Sequence, residues 1–371
     1  MGNIYIGDSS SKARELKNCY IGDSNGIARQ VKAVYVGDSN NKARLVWNSN
    51  PLGTLCYLGV RNGQLRLVVS NGYDSDAKTY SIPYAITNWQ PSGSNYGVKK
   101  IFDTYYISCK RIHPDRGVED YVRYKTKDFI NYEVDQWQND VLHSYDLVKQ
   151  AGNNVIYYTP YTALHISTDK GETFNYNSKI SISYHYCTDP NDKYVYYRSS
   201  GDYAYMYSAD LITNQINTHG SFTEAYDGSV RKECAGNGMA LFFTSYGNVY
   251  KMTPNGGRSL NRMTGDTFNS TNYVESCEYF NGLFYIITNT NKLYTSADGI
   301  NWTFKMDLSQ TNTIGLRNFS IVNDTLHIFI GTTAISYKTS EDDKTYVYCT
   351  KDGNTFESYV VNELITSAAS V

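Results

Sequence analysis

The side chains able to hold a metal, attack a bond or move a proton are many but scattered. The six histidines are His113, His143, His165, His185, His219 and His327. No two share the spacing of a metal-binding motif, and His113-x-Asp115 is too common a pattern to indicate one. The seven cysteines are Cys19, Cys56, Cys109, Cys187, Cys234, Cys277 and Cys349. They are odd in number and never in C-x-x-C spacing, so neither a disulfide framework nor a zinc site is expected. They read as buried strand thiols of a chain made in a reducing cytoplasm. Asn255-Gly256-Gly257 is a turn and not a phosphate loop, because no strand-loop-helix frame surrounds it. The expectation is no catalytic residue, no cofactor and no metal.

Two chemistries remain open. Hydrolysis by paired carboxylates needs two acidic groups about 5 to 10 Å apart, and no spacing here selects such a pair. Sugar binding needs flat aromatic faces beside hydrogen-bonding groups. The chain carries 37 tyrosines. They cluster at Tyr157-Tyr158, Tyr184-His185-Tyr186, Tyr194-Val195-Tyr196-Tyr197 and between Tyr203 and Tyr207. In strands most of these rings must fill the space between sheets, and a surplus is left for a surface. An AT-rich genome would also raise the tyrosine total.

A net charge of −2 argues against wholesale binding to nucleic acid or to an anionic membrane. No charged-then-apolar leader and no membrane-spanning apolar run is readable, so neither export by a signal nor membrane insertion is expected.

The elements that must position any site come in two repeats. Tyr5-Ile6-Gly7-Asp8-Ser9 recurs as Tyr20-Ile21-Gly22-Asp23-Ser24 and as Tyr35-Val36-Gly37-Asp38-Ser39, each followed by Ala-Arg at 13–14, 28–29 and 43–44. Each copy reads as strand, turn, strand. A unit this short encloses no core, so it must stack on its neighbours or on another chain. Residues 1–48 therefore read as an attachment or oligomerisation segment whose one-sided apolar face (Tyr5, Tyr20, Tyr35, Val46, Trp47) needs covering. Trimer formation and docking on a particle are the two expectations.

From residue 49 to 371 the pattern changes to short apolar runs such as Leu65–Val69, Leu283–Ile287 and Leu326–Ile330, separated by Gly, Asn and Asp. These are strands. One weak helical possibility is Asp140 to Lys149. A turn motif recurs within the strands. Its clearest copy is Ser167-Thr168-Asp169-Lys170-Gly171-Glu172-Thr173-Phe174. Variants are Ser296-Ala297-Asp298-Gly299-Ile300-Asn301-Trp302 and Thr350-Lys351-Asp352-Gly353-Asn354-Thr355-Phe356. Fainter copies start at Thr126 and Ser208, a Gly-rich turn starts at Thr253, and an earlier turn falls at Gly72 to Thr79. In the motif the Asp accepts bonds from nearby backbone N–H groups, the Gly takes a positive φ, and the aromatic packs inward. A period of roughly 40 to 45 residues holds four short strands, one blade of a propeller. The count points to seven blades, with six as the runner-up. Closure is expected between Leu55-Cys56-Tyr57-Leu58 and the last blade near Tyr346-Val347-Tyr348, since open edges invite aggregation.

The turn motif resembles the sialidase-type Asp box, or BNR repeat, S-x-D-x-G-x-T-W/F. That resemblance implies a propeller in which Asp169, Gly171, Phe174, Asp298, Gly299, Trp302, Asp352, Gly353 and Phe356 build turns away from the central pocket. An active sialidase would further need an arginine cluster and a Tyr–Glu nucleophile pair. Arg111-Ile112-His113-Pro114 comes near that family's Arg-Ile-Pro signature, but His113 interrupts it. Residues 1–48, through Tyr5, Gly7, Tyr20, Gly22, Tyr35 and Gly37, resemble the repeats at the start of tail-associated proteins of phages and prophages of Gram-positive gut bacteria. That resemblance implies a virion component, made in the bacterial cytoplasm, that binds a host-surface glycan. The alternatives are a purely structural appendage and a sialidase-like glycoside hydrolase.

Overall fold

The computed structural model describes six short strands within residues 1–48 and most of 54–371, leaving out 74–76, 87–95, 139–147, 160–162, 181, 183–184, 200–203, 223–227, 256–258, 309–314 and 333–342. The described residues form an all-β structure with seven four-stranded antiparallel sheets. These are the blades of a propeller. In chain order of their first strands, blade II starts at Gly97, III at Lys149, IV at Tyr186, V at Val230, VI at Val274 and VII at Arg317. Blade I is composite: its strands run in the order Leu364–Ser370, Thr54–Arg61, Gln64–Asn71 and Lys78–Tyr80.

That composite sheet corrects the expected closure. Leu55 to Leu58 pair with Ser370 to Ser367, not with Tyr346 to Tyr348. Tyr346 to Tyr348 belong to the third strand of blade VII, flanked on both sides by strands of their own blade. The C-terminal segment becomes the innermost strand of blade I. This joins the first and last strands of the propeller in one sheet and covers the edge that Thr54–Arg61 would otherwise leave open.

Each blade grades from a buried inside to a wet rim. Second strands are packed on both faces by neighbouring blades, so Thr325–Gly331 is buried along its whole length and reads as a continuous apolar run. Fourth strands lie at the rim, and Thr303–Asp307 contains no fully buried residue. Tight first-to-second turns fall at Asn237-Gly238, Asn281-Gly282 and Asn323-Asp324. All six residues have positive φ, which Asn, Asp and Gly tolerate and a two-residue hairpin demands. The core lies between blades. Leu241, Phe243, Phe284, Ile286 and Trp302 pack together between blades V and VI, each buried side chain contributing about 1.5–3 kcal/mol. Lys149, at the end of the weak helical possibility, starts the strand Lys149–Ala151. Residues 140–147 lie outside the described residues.

Within residues 1–48 the backbone forms three hairpins of matching register. Gly7 pairs with Ala13, Gly22 with Ala28 and Gly37 with Ala43. The side chains of Tyr5, Tyr20, Tyr35, Val46 and Trp47 lie outside the described residues.

Because the strands alternate in direction, first-to-second and third-to-fourth turns share one end of the propeller. Second-to-third turns and the connections between blades share the other, which we call the loop end.

Candidate functional site

The motif residues all fall in third-to-fourth turns, at the end opposite the loop end. Asp298 accepts the backbone N–H groups of Ile300 and Asn301 at 2.9 and 2.8 Å. Asp352 accepts those of Asn354 and Thr355, each at 2.8 Å. Asp169 has one more residue in its turn and reaches Thr173 N at 2.9 Å. A hydroxyl from the end of the third strand completes each turn: Gly171 N, Gly299 N and Gly353 N donate to Ser167, Ser296 and Thr350. These bonds hold the carboxylates ionised. Hydrogen bonds from Asn354 and Thr355 pull Asp352 down to about 2. Bonds from Ser167 and Thr173 hold Asp169 well below the usual range. A carboxylate with its lone pairs so occupied is a turn-builder, not a proton donor. Trp302 is buried against Phe243 of blade V, and Phe174 lies half-buried beside Tyr157. Phe356 packs onto the core between blades VI and VII.

The groups with chemical potential sit at the axis. The innermost strands present one level of the ring through the residues paired with the third residue of each second strand. Going round, these are Ala369, Lys99, Lys149, Cys187, Cys234, Glu278 and Ser320. Glu233 and His185 stand just off this level. Lys149 lies over the Tyr186 ring, 4.1 Å from its centroid, donates to the Tyr186 carbonyl, and stands 3.8 Å from Glu233. His185 Nδ1 is 2.9 Å from the other Glu233 oxygen. Burial pushes the Glu233 carboxyl up, but the His185 bond and the charges of His185 and Lys149 outweigh it and hold the group low. Glu278 goes the other way: burial raises it, and Lys99 and Lys149 offset this only in part. Lys99 is exposed on the innermost strand of blade II, the strand that faces the central channel of a propeller. Burial lowers its pKa, Glu278 opposes that, and the Lys149 charge adds to it. The axis thus holds amines on blades II and III and carboxylates on V and VI.

Other candidates are committed elsewhere. Arg111 binds Asp120 through two bonds of 2.9 and 3.3 Å, both residues buried in blade II. The near-signature arginine is therefore engaged within its own sheet. His327 Nδ1 lies 3.3 Å from Cys349 Sγ and 2.8 Å from Tyr73 Oη. Burial lowers the histidine to about 4 and raises the thiol to about 12, so this is a neutral pair and not an activated nucleophile. The six described cysteines are free, five of them buried. Among the described residues no group of three or more His, Cys, Asp or Glu could hold a metal.

Two surfaces remain. A cleft of about 140 Å³ opens between blades VII and I beside Arg61, Arg66 and Glu363. At the loop end, large side chains stand out of the surface. Tyr84 is 62% exposed, Tyr246 45% and Tyr205 43%, beside the exposed aliphatic Ile112 and Val118, while at the opposite end Ile130 and Ile212 protrude from turns and Tyr176 and Phe304 from the starts of fourth strands. Tyr84 sits at φ 55. It is held there by a bond from Ile112 N to its carbonyl at 3.0 Å and by Tyr124 Oη on the Pro83 carbonyl at 2.7 Å. Lys99, Lys149, Glu233, Glu278, Tyr84 and Glu363 escaped the sequence reading.

No known protein family matches the sequence. No curated protein matches it either. Solved structures share its fold. YCF48 bound to a D1 peptide is 12% identical, with a TM-score of 0.49 over 80% of this chain and 92% of that one. YCF48 from Cyanidioschyzon merolae is 10% identical, with a TM-score of 0.45 over 82% and 95%. TolB from Acinetobacter baumannii is 11% identical, with a TM-score of 0.40 over 84% and 82%. Likenesses this distant carry no argument about function. The resemblance of the N-terminal repeats to phage tail proteins has no counterpart among them.

Proposed function

We propose that this chain is a component of a phage tail or tail-like particle. In this reading residues 1–48 attach it, and the loop end of the propeller binds a glycan of the host surface. A seven-bladed propeller of this kind suits a binding role, since its rigid sheets hold many loops at one end. The matching registers of the three hairpins support a repeated docking unit. The observation that carries the glycan reading is a set of exposed tyrosine rings among the loops of one end. Among the described residues Tyr84, Tyr205 and Tyr246 project at the loop end, Tyr84 from the connection between blades I and II and Tyr246 from a second-to-third turn. Sugars stack on flat rings whose hydroxyls also bond to them. Holding Tyr84 in left-handed backbone costs about 1–2 kcal/mol, and such strain clusters where a side chain must be displayed.

The test is binding of the purified full chain to envelope polysaccharide from the host strain, compared with a triple Tyr84→Ala, Tyr205→Ala, Tyr246→Ala variant. Each ring is worth about 0.5–1.5 kcal/mol, so the triple variant loses tenfold or more in affinity. A full chain that ignores the polysaccharide, or a triple variant that binds it unchanged, overturns the reading. In parallel, a chain lacking residues 1–48 keeps its polysaccharide binding and no longer joins particles. Continued assembly of that chain removes the attachment role.

A further inference from the structure

The cleft between blades VII and I is chemically unlike the rest of the rim. Its deep end is the Glu363 carboxylate, only 6% exposed. Oε1 accepts from Tyr57 Oη at 2.6 Å and Oε2 from Arg66 at 3.2 Å. Arg66 also donates to Thr79 Oγ1 at 3.0 Å. Acceptor and donor are thus fixed side by side, with Asn362 next to them. The half-buried Tyr73 lines the same cleft, its ring centroid 5.7 Å from that of Tyr57. Arg61 stands at the mouth, exposed, and no described residue bonds or pairs with it. Among the described lining residues the charged groups are two arginines and one carboxylate.

We propose that this cleft binds one acidic monosaccharide unit, with its ring hydroxyls on Arg66, Glu363 and Asn362 and its carboxylate on Arg61. The inference rests on the glycan reading above and names the kind of sugar. Neighbouring ring hydroxyls each donate and accept, which matches a guanidinium set beside a carboxylate. The cleft volume of about 140 Å³ limits it to a small ligand. It is too small for the drug-sized ligands that occupy about 300 Å³ or more. Among the described residues Arg61 is the lining cation with no bonded or paired side chain, and its planar fork suits a carboxylate.

The experiment titrates the full chain with glucuronate and with glucose, following saturation-transfer NMR. Glucuronate binds saturably, and glucose binds about tenfold more weakly, the value of one charge-assisted bond of about 1.5 kcal/mol. Arg61→Ala, an exposed substitution that leaves Tm unchanged, brings glucuronate down to the glucose level. Asn362→Ala weakens both sugars. Absence of glucuronate binding, or equal binding of both sugars that Arg61→Ala does not alter, overturns the inference. Polysaccharide binding by the full chain that survives Arg61→Ala and Asn362→Ala also removes the cleft, while leaving the glycan reading standing.

Discussion

Gly171 of blade III lies against the side chain of Tyr106 on the second strand of blade II. A Cβ added at Gly171 would fall on the tyrosine hydroxyl, closer than real Cβ atoms approach any neighbour. The same contact recurs one blade at a time: Gly353 of blade VII meets Tyr285 of blade VI, and Gly299 of blade VI meets Leu241 of blade V. Each of these three turns thus clips onto the third residue of the second strand in the preceding blade. Where that position is small, the turn is large. Phe129 stands directly after Asp128, as Gly299 follows Asp298, and keeps a positive φ of 59. It packs in the cluster that holds Cys56, the third residue of the second strand of blade I. The turn of blade I brings Tyr73 to His327, the third residue of the second strand of blade VII.

Gly171→Ala should therefore destabilise by about 2–4 kcal/mol, combining overpacking with the left-handed backbone penalty. Gly117→Ala has φ 67 but nothing within 4 Å, and should cost only about 1 kcal/mol. Tyr106→Phe combined with Gly171→Ala should recover part of the loss, read as a coupling in urea unfolding. Equal effects of the two glycine substitutions would remove the clip.

Deleting Leu364–Val371 takes away the innermost strand of blade I. It strips the buried Leu364, Ile365, Ala368 and Ala369 and exposes the edge of Thr54–Arg61. Losing the two large apolar side chains alone costs about 3–6 kcal/mol, a large part of a typical margin of about 5–15 kcal/mol. The truncated chain should be insoluble or lack a cooperative unfolding transition by circular dichroism. A peptide spanning 362–371 supplied during refolding should restore the transition.

Acid should destabilise the protein in two windows. Folded His327 titrates near 4 instead of 6.5, so the unfolded chain binds more protons between those values and stability falls as pH drops through them. The turn carboxylates Asp128 and Asp352 titrate near 2 instead of 3.8, so their contribution is present above about pH 4 and is lost as pH falls toward 2. Thermal midpoints measured from pH 7 to pH 2 should show both declines. His327→Gln should flatten the upper one and leave the lower.

The channel amines should respond oppositely to removal. Lys99 has no bonding partner among the described residues, and replacing it with Met removes a partly desolvated charge, so Tm should rise. Lys149→Met should lower stability by about 1–3 kcal/mol, since Glu233 then keeps only His185 as a close partner. Chemical unfolding of the two variants checks the contrast.

Blade number was legible because it is local. Asp169, Asp298 and Asp352 mark turns through bonds to residues at most four positions away, and such bonds leave a pattern in sequence. The faint copy at Thr126 was harder to see, since Phe129 replaces the glycine for a reason that lies at Cys56, in another blade. The closing partner of Leu55 to Leu58 was misplaced for a similar reason. Tyr346 to Tyr348 and Leu364 to Ser370 both look like strands, and only packing decides which of them has a free edge to offer.

Strand content, turn positions and the two repeat lengths follow from the order of residues alone, because backbone geometry and hydrogen bonding to near neighbours specify them. The meeting of Lys99, Lys149, Glu233 and Glu278 at the axis does not follow, nor does that of Tyr57, Arg66 and Glu363 at the seam. Those groups are brought together from blades that are far apart in the chain, and closing the ring is the step that puts their charges within reach of one another.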